Sequence, residues 1–289
     1  MIEKLESYVN ALFAPYDGNK GVGELKADLI SDLQQRFREL RAEGIDEETA
    51  FKMTIESIGE IEQTLREIST MPHSEERQAP VHLNAIDLTS SDFLGVSLRN
   101  GRFKASALRG ANFAGAELSD TTFEVSDMHG AIFDGAHLID STFSIVDLTD
   151  ASFAQSVFVR TQVNVSNLKG AKFTDARLTD VMLNKSDLRT ARFERCTFNN
   201  VDFKHCDLRG VRLDGQTFIG VRFDKSALKD VSFRGATLKN VIIVPPLSLT
   251  NKAYHDLKTV RFEGAMMDKL TYATLKGLRV VDLSNVTVI

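Results

Sequence analysis

A large apolar residue returns at every fifth position from Leu83 to Leu238, and Ile243 adds one more beat. Of these 33 centres, fifteen are Leu and fifteen are Phe; Met128, Val163 and Ile243 complete the set, so none is polar. Two residues ahead of each centre runs a second column. There, 31 of 33 members are Ala, Ser, Thr, Val, Cys or Gly, with Ile86 and Gln216 the exceptions. A helix repeats its apolar face at 3.6 residues and a strand at 2. A sustained period of five fits neither, and predicts pentads that each make one short straight run and then a corner. Self-similarity at a fixed period marks a solenoid. One large and one small inward side chain per pentad fill a narrow tube, and the other three residues face water.

A second period overlies the first. Every fourth centre reads Leu88, Leu108, Met128, Leu148, Leu168, Leu188, Leu208 and Leu228. The neighbouring column reads Phe93, Phe113, Phe133, Phe153, Phe173, Phe193, Leu213 and Phe233. The structural unit is therefore 20 residues, a square coil of four pentads. The expected fold is mainly β, a solenoid of about eight coils that stacks Phe on Phe near the strand spacing of about 4.8 Å.

The segments Ala111-Asn112-Phe113, Ser126-Asp127-Met128, Ser186-Asp187-Leu188 and Cys206-Asp207-Leu208 resemble the A-(D/N)-L-x-x pattern of pentapeptide-repeat proteins. The resemblance covers residues 81–243 in one phase with no insertion. It implies a right-handed, four-sided β-helix. A left-handed hexapeptide helix would need a six-residue beat, which the sequence lacks.

Both ends depart from the pentad. Residues 1–70 read as a helical bundle. Ile2, Leu5, Val9 and Leu12 form one stripe, and Leu25, Leu29, Leu33, Phe37 and Leu40 a second, joined through Pro15–Gly23. Gly44 is placed to stop the second helix and Asp46 to cap the third, with Glu47 and Glu48 in its electropositive first turn. Ile61, Leu65 and Ile68 mark a last short helix. The stretches ELKADLISDLQQRFREL and EGIDEETAFKMTIESIGEIEQTLREI resemble the HAAS-type, or permease-prefix, helical domain of bacterial signalling and transporter-associated proteins. That likeness implies a protein-interaction or signalling role, a bacterial source and no catalytic residue. Residues 71–80 read as a linker and 81–245 as the β-helix. Residues 246–289 read as a C-terminal α/β cap. In it, Tyr254–Phe262 and Tyr272–Val280 are two degraded coils, each a short helix running into a strand. The closing VVDLSNVTVI is strand-like and is a candidate joint for a homodimer, as the pentapeptide resemblance also implies.

Charge is polarised along the chain. The net −5 divides into −8 over residues 1–80, −5 over 81–160, +6 over 161–245 and +2 over 246–289. No run of apolar residues is long enough to span a membrane and the acidic N-terminus lacks a signal-peptide layout. Cys196 and Cys206 both fall in the small inward column, as packing thiols on different faces. These features point to a reducing cytoplasm.

Candidate chemistry is sparse. The six histidines do not pair at ligand spacing, and zinc and phosphate-loop signatures are missing. No cofactor and no metal are expected, and the chain does not read as an enzyme. Gly110, Gly130, Gly170 and Gly210 read as corner glycines. Asp87, Asp127, Asp147, Asp187 and Asp207, with Asn167, precede the Leu column and read as corner residues that accept from backbone amides. One surface feature stands apart. Lys169, Arg189, Arg209 and Lys229 follow the Leu column on successive coils, and Lys172, Arg192 and Arg212 precede the Phe column. Together they predict two basic rows flanking one corner, partly neutralised by Asp187 and Asp207, a candidate interaction surface for an acidic partner or nucleic acid.

Three readings follow. The first is a non-enzymatic protein-interaction scaffold with a regulatory or signalling role, its partner a protein. The second is the DNA-mimicking, gyrase- or topoisomerase-interacting role that the pentapeptide resemblance implies, which the +6 half opposes. The third is binding of nucleic acid or an acidic partner at the basic corner.

Overall fold

The computed structural model describes residues 2–13, 20–56, 81–245 and 251–289. The chain forms two compact units, residues 1–78 and 79–289.

In the first unit the helices are α1 (Ile2–Phe13), α2 (Lys20–Ala42) and α3 (Glu47–Glu56). Leu5, Val9 and Phe13 of α1 are buried, as are Leu29, Leu33, Phe37 and Leu40 of α2, so the two apolar stripes form the core. α2 begins at Lys20 and takes in Gly21 and Gly23, which had read as connection. Extending an existing helix adds one hydrogen bond per residue fixed, which offsets the cost of about 1 kcal/mol per glycine. Gly44 ends α2 with φ +84°, and the Ile45 amide donates back to the Leu40 carbonyl at 3.2 Å. Asp46 caps α3 by accepting from the Thr49 amide at 3.0 Å. That bond holds the Asp46 carboxyl below its ordinary range. The helix expected around Ile61–Ile68, and the linker 71–80, lie outside the described residues.

The second unit is a parallel β-solenoid with four walls. Wall A, with centres Leu83 to Ile243, is a nine-stranded ladder from His82–Asn84 to Ile242–Val244. Wall D, with centres from Leu98 onward, carries an eight-stranded ladder from His137–Ile139 to Thr287–Val288. Wall B (the Leu88 column) is held by isolated bridges, as is wall C (the Phe93 column) apart from the pair Lys172–Thr174 and Arg192–Glu194. Partners through residue 244 sit 20 positions apart, as in Phe103↔Phe123 and Phe203↔Phe223. The square spring predicted from the five-residue beat is therefore the fold.

The inward columns make the core. Phe113, Phe133 and Phe153 stack with centroids 5.0 and 5.1 Å apart and planes within 7°. Wall A rings meet wall C rings edge-on, as in Phe123 and Phe133 at 6.1 Å and 84°. Both arrangements are favoured by the ring quadrupole.

The small column does more than leave room. Ser126 Oγ accepts from the Ser106 amide at 3.2 Å, and Ser186 Oγ from the Ser166 amide at 3.3 Å. The same hydroxyls donate to carbonyls of the preceding coil, as Ser186 does to Val163 at 3.3 Å. Gln216, which breaks the pattern in sequence, keeps it in chemistry. Its Oε1 accepts from the Cys196 amide at 2.6 Å and its Nε2 donates to the Phe193 carbonyl at 3.3 Å. Ile86, the other exception, lies in the first coil and is 39% exposed. Cys196 and Cys206 are buried free thiols, pushed by burial up to about 11 and about 12.

The pentad does not stop where the beat does. Phe262 stacks on Phe233 at 5.3 Å, although 29 residues separate them. The surplus is taken up by α4 (Asn251–Lys258), after which Met266–Met267 joins wall D opposite Thr237 and Leu238. α5 (Lys269–Gly277) then replaces part of a last coil, and Thr287–Val288 pairs with Met266–Met267. The solenoid thus has about ten turns, the eight of the pentad region and the two degraded coils of the cap. α5 also finishes wall A: Thr271 Oγ1 accepts from the Val241 amide at 2.9 Å, and Asp268 from the Asn240 amide at 2.9 Å.

Candidate functional site

Each pentad turns its corner with a residue in the left-handed region, two positions after the centre. After walls B and C a backbone bond closes many of these turns, as from the Ala111 amide to the Leu108 carbonyl at 3.1 Å. The four glycines picked out in the sequence are such corner residues, with φ between +60° and +73°. The acidic column before the Leu centres supports the corner from outside. Thr149, Arg189 and Arg209 amides donate to Asp147, Asp187 and Asp207 at 3.0, 3.1 and 3.2 Å. These carboxylates are spent on turn geometry, as Asp and Asn side chains commonly are.

The candidate basic residues lie on successive rungs as predicted. Lys172, Arg192 and Arg212 are direct cross-strand neighbours on wall C. Lys169, Arg189, Arg209 and Lys229 each follow their wall B centre by one residue. The first row is not a bare cationic stripe. Lys169 Nζ and Arg189 Nη2 meet Asp187 at 3.1 and 2.7 Å. Arg189 Nε reaches Asp207 at 3.3 Å, and Arg209 meets Asp207 at 2.5 Å. Cations and carboxylates therefore alternate along the column. Burial pushes the Asp187 carboxyl up, but hydrogen bonds from Arg189 and Lys169 outweigh it and hold it down to about 2. Asp207 is lowered the same way by Arg209.

On wall C, Arg212 pairs with Asp214 at 3.1 Å. Lys172, Arg192 and Lys229 are exposed, and among the described residues no carboxylate lies at ion-pairing distance from them. Stacking like charges directly across strands costs stability. Of the seven predicted cations, these three are available to a partner without breaking an existing pair. Among the described residues no group of three or more His, Cys, Asp or Glu side chains is arranged to hold a metal.

Sequence reasoning missed a second surface column. The left-handed positions after wall A read Ala85, Ala105, Val125, Ile145, Val165, Lys185, His205 and Lys225. Its signal was present: this register contains no Gly, Asn or Asp, the residues that enter the left-handed region most readily.

Family models described as pentapeptide repeats match residues 106–144, 196–235 and 206–243, and one described as a pentapeptide repeat region matches 126–203. Residues 106–243 of this chain are a run of pentapeptide repeats. The pentapeptide-repeat protein QnrB1, a plasmid-mediated fluoroquinolone resistance protein, is 19% identical over 68% of this chain and 98% of its own, with a TM-score of 0.34. HetL of the cyanobacterium Nostoc, involved in heterocyst differentiation regulation, is 19% identical over 65% of this chain and 87% of its own, at 0.30. A pentapeptide-repeat protein of the Arabidopsis thaliana thylakoid lumen is 30% identical over 37% of this chain and 65% of its own, at 0.24. Scores this low carry no functional argument. No curated protein matches the chain. Among the described residues no helix is long and apolar enough to cross a membrane.

Proposed function

We propose that this protein is a non-enzymatic interaction scaffold, in which the N-terminal helices recruit and the solenoid presents surface columns to a protein partner. The observation that carries the reading is the rod itself. From Leu83 to Ile243 no loop longer than a corner interrupts the coils, and outward side chains stand in rows with one member per coil. Such a surface recognises by repetition, one rung at a time. Catalytic groups are disproportionately carried on loops set on a scaffold, and this rod has none. The family's known members are structural or interaction proteins, which supports the same reading.

The basic corner is the proposed contact for an acidic protein surface, with Lys172, Arg192 and Lys229 as its free cations. Interleaved Asp187, Asp207 and Asp214 disfavour a continuous polyanion such as nucleic acid. The outer edge of Thr287–Val288 has no paired strand among the described residues, and Val288 and Ile289 beside it are exposed. An open edge is a template for another strand, and we place a homodimer joint there.

The test is co-purification with full-length protein against a variant carrying K172E, R192E and K229E. The scaffold reading expects a nuclease-resistant protein partner with the wild type and its loss with the variant. Material that nuclease removes would favour nucleic acid instead. Inhibition of gyrase supercoiling, or relief of quinolone poisoning, by the purified protein would favour the topoisomerase reading.

A further inference from the structure

Thirty-two corner residues between Ala85 and Asn240 have positive φ. After walls B, C and D, Gly, Asn or Asp fills six, six and seven of eight positions; after wall A it fills none. Instead, three successive rungs carry β-branched residues: Val125 at φ +51°, Ile145 at +56° and Val165 at +52°. For a β-branched side chain this backbone is a genuine outlier. The three side chains point away from the core and remain 48%, 55% and 52% exposed. They are strained by their backbone and bury little apolar surface within the solenoid. Strain of this kind gathers where a surface is used.

The next three rungs of the same corner are Lys185, His205 and Lys225. The acids beside the apolar half are occupied: Glu124 pairs with Lys104 at 3.1 Å and Asp127 with Arg109 at 2.5 Å. Of those beside the cationic half, Asp187 and Asp207 are held by Lys169, Arg189 and Arg209, while Asp224 stands next to Lys225 in the chain. Among the described residues no carboxylate lies at ion-pairing distance from Lys185 or Lys225. The corner is thus a straight ridge, aliphatic over one half and cationic over the other.

We propose that this ridge docks an acidic amphipathic helix of a partner protein. Its aliphatic side chains cover Val125, Ile145 and Val165, and its carboxylates meet Lys185 and Lys225. Six rungs at about 4.8 Å span about 24 Å, the length of a helix of about 16 residues, which sets about four or five side chains of one face along the ridge. Charge complementarity selects the acidic helix over a basic one. The proposal rests on the scaffold reading and names one partner chemistry for it.

The probe is a labelled helical peptide of about 16 residues, with Leu on one face of one half and Glu on the same face of the other, made in both orders. Fluorescence anisotropy with full-length protein is expected to show binding of one order, weakened about tenfold or more when Glu is replaced by Lys or Leu by Ser. The triple variant V125N/I145N/V165N is expected to lose binding while its thermal midpoint holds or rises, because Asn enters the left-handed region readily. K185E/K225E is expected to prefer the Lys peptide. A triple variant that melts more than about 5 °C lower makes the ridge an internal stabiliser and overturns the proposal. So does peptide binding that ignores both variants, or binding of anionic lipid vesicles with none of either peptide order. A protein that retains a partner sensitive to the basic-corner reversals but ignores the peptides loses the ridge and keeps the scaffold.

Discussion

Residues 81–160 carry five Lys/Arg and ten Asp/Glu; residues 161–245 carry fifteen and nine. Beneath that contrast the two halves are nearly the same object. Phe133 in the first and Phe218 in the second are both fully buried, each stacked on a ring one coil away. The corner after wall A changes from aliphatic to cationic between Val165 and Lys185 while the strand register continues unaltered. A solenoid separates these variables because inward and outward residues alternate within every pentad. The surface of a half can therefore be rewritten without disturbing the core.

The largest test of the shared core is truncation in each half. F133A and F218A should each cost about 3–5 kcal/mol in chemical denaturation, because each removes a close-packed ring and leaves a cavity between coils. A cost confined to one half would break the equivalence.

A smaller effect is expected at Gln216. Q216A leaves the Cys196 amide and the Phe193 carbonyl without the partner that holds them, and should cost about 1–3 kcal/mol. Q216S should recover part of that loss, since Ser fills the same bridging position at Ser126 and Ser186.

Acid should separate the halves further. Asp187 is held down to about 2, so its contribution is complete above the unfolded carboxyl value of about 3.9 and is lost as pH falls from about 4 towards 2. Asp207 and Asp214 are lowered in the same direction. Denaturation between pH 5 and about 2 should show a decline that D187N reduces. Because these groups are partly exposed, solvent screening keeps the effect modest.

The smallest expected stability change is at the free cations. K172E with K229E should leave stability within about 0.5 kcal/mol, as exposed residues outside special backbone positions usually do. A larger loss would make that row part of the fold.

The solenoid was legible in the sequence because its cause is local and repeated. Every pentad must supply one large and one small inward residue, and 33 repetitions leave no competing period. The helical stripes of α1 and α2 and the Asp46 cap were readable for the same reason. The basic rows and their partial neutralisation by Asp187 and Asp207 were legible from the repeat, but the individual pairings were not, because Lys169 and Arg189 reach carboxylates one coil away. The two degraded coils were legible from the echo of the pentad after α4 and α5, but their register was not, and the stacking of Phe262 on Phe233 supplies it.

What the sequence alone determined is the five-residue beat, the square coil and the residues that fill it, since Leu and Phe at every fifth position are all buried only if the chain turns a corner in each pentad. What only the tertiary structure decided is which outward charges are free, why Gln216 fits, and that Val125, Ile145 and Val165 sit strained on a single edge. Those properties depend on distances between residues 18 to 23 positions apart and on backbone angles, and a linear pattern of residue types specifies neither.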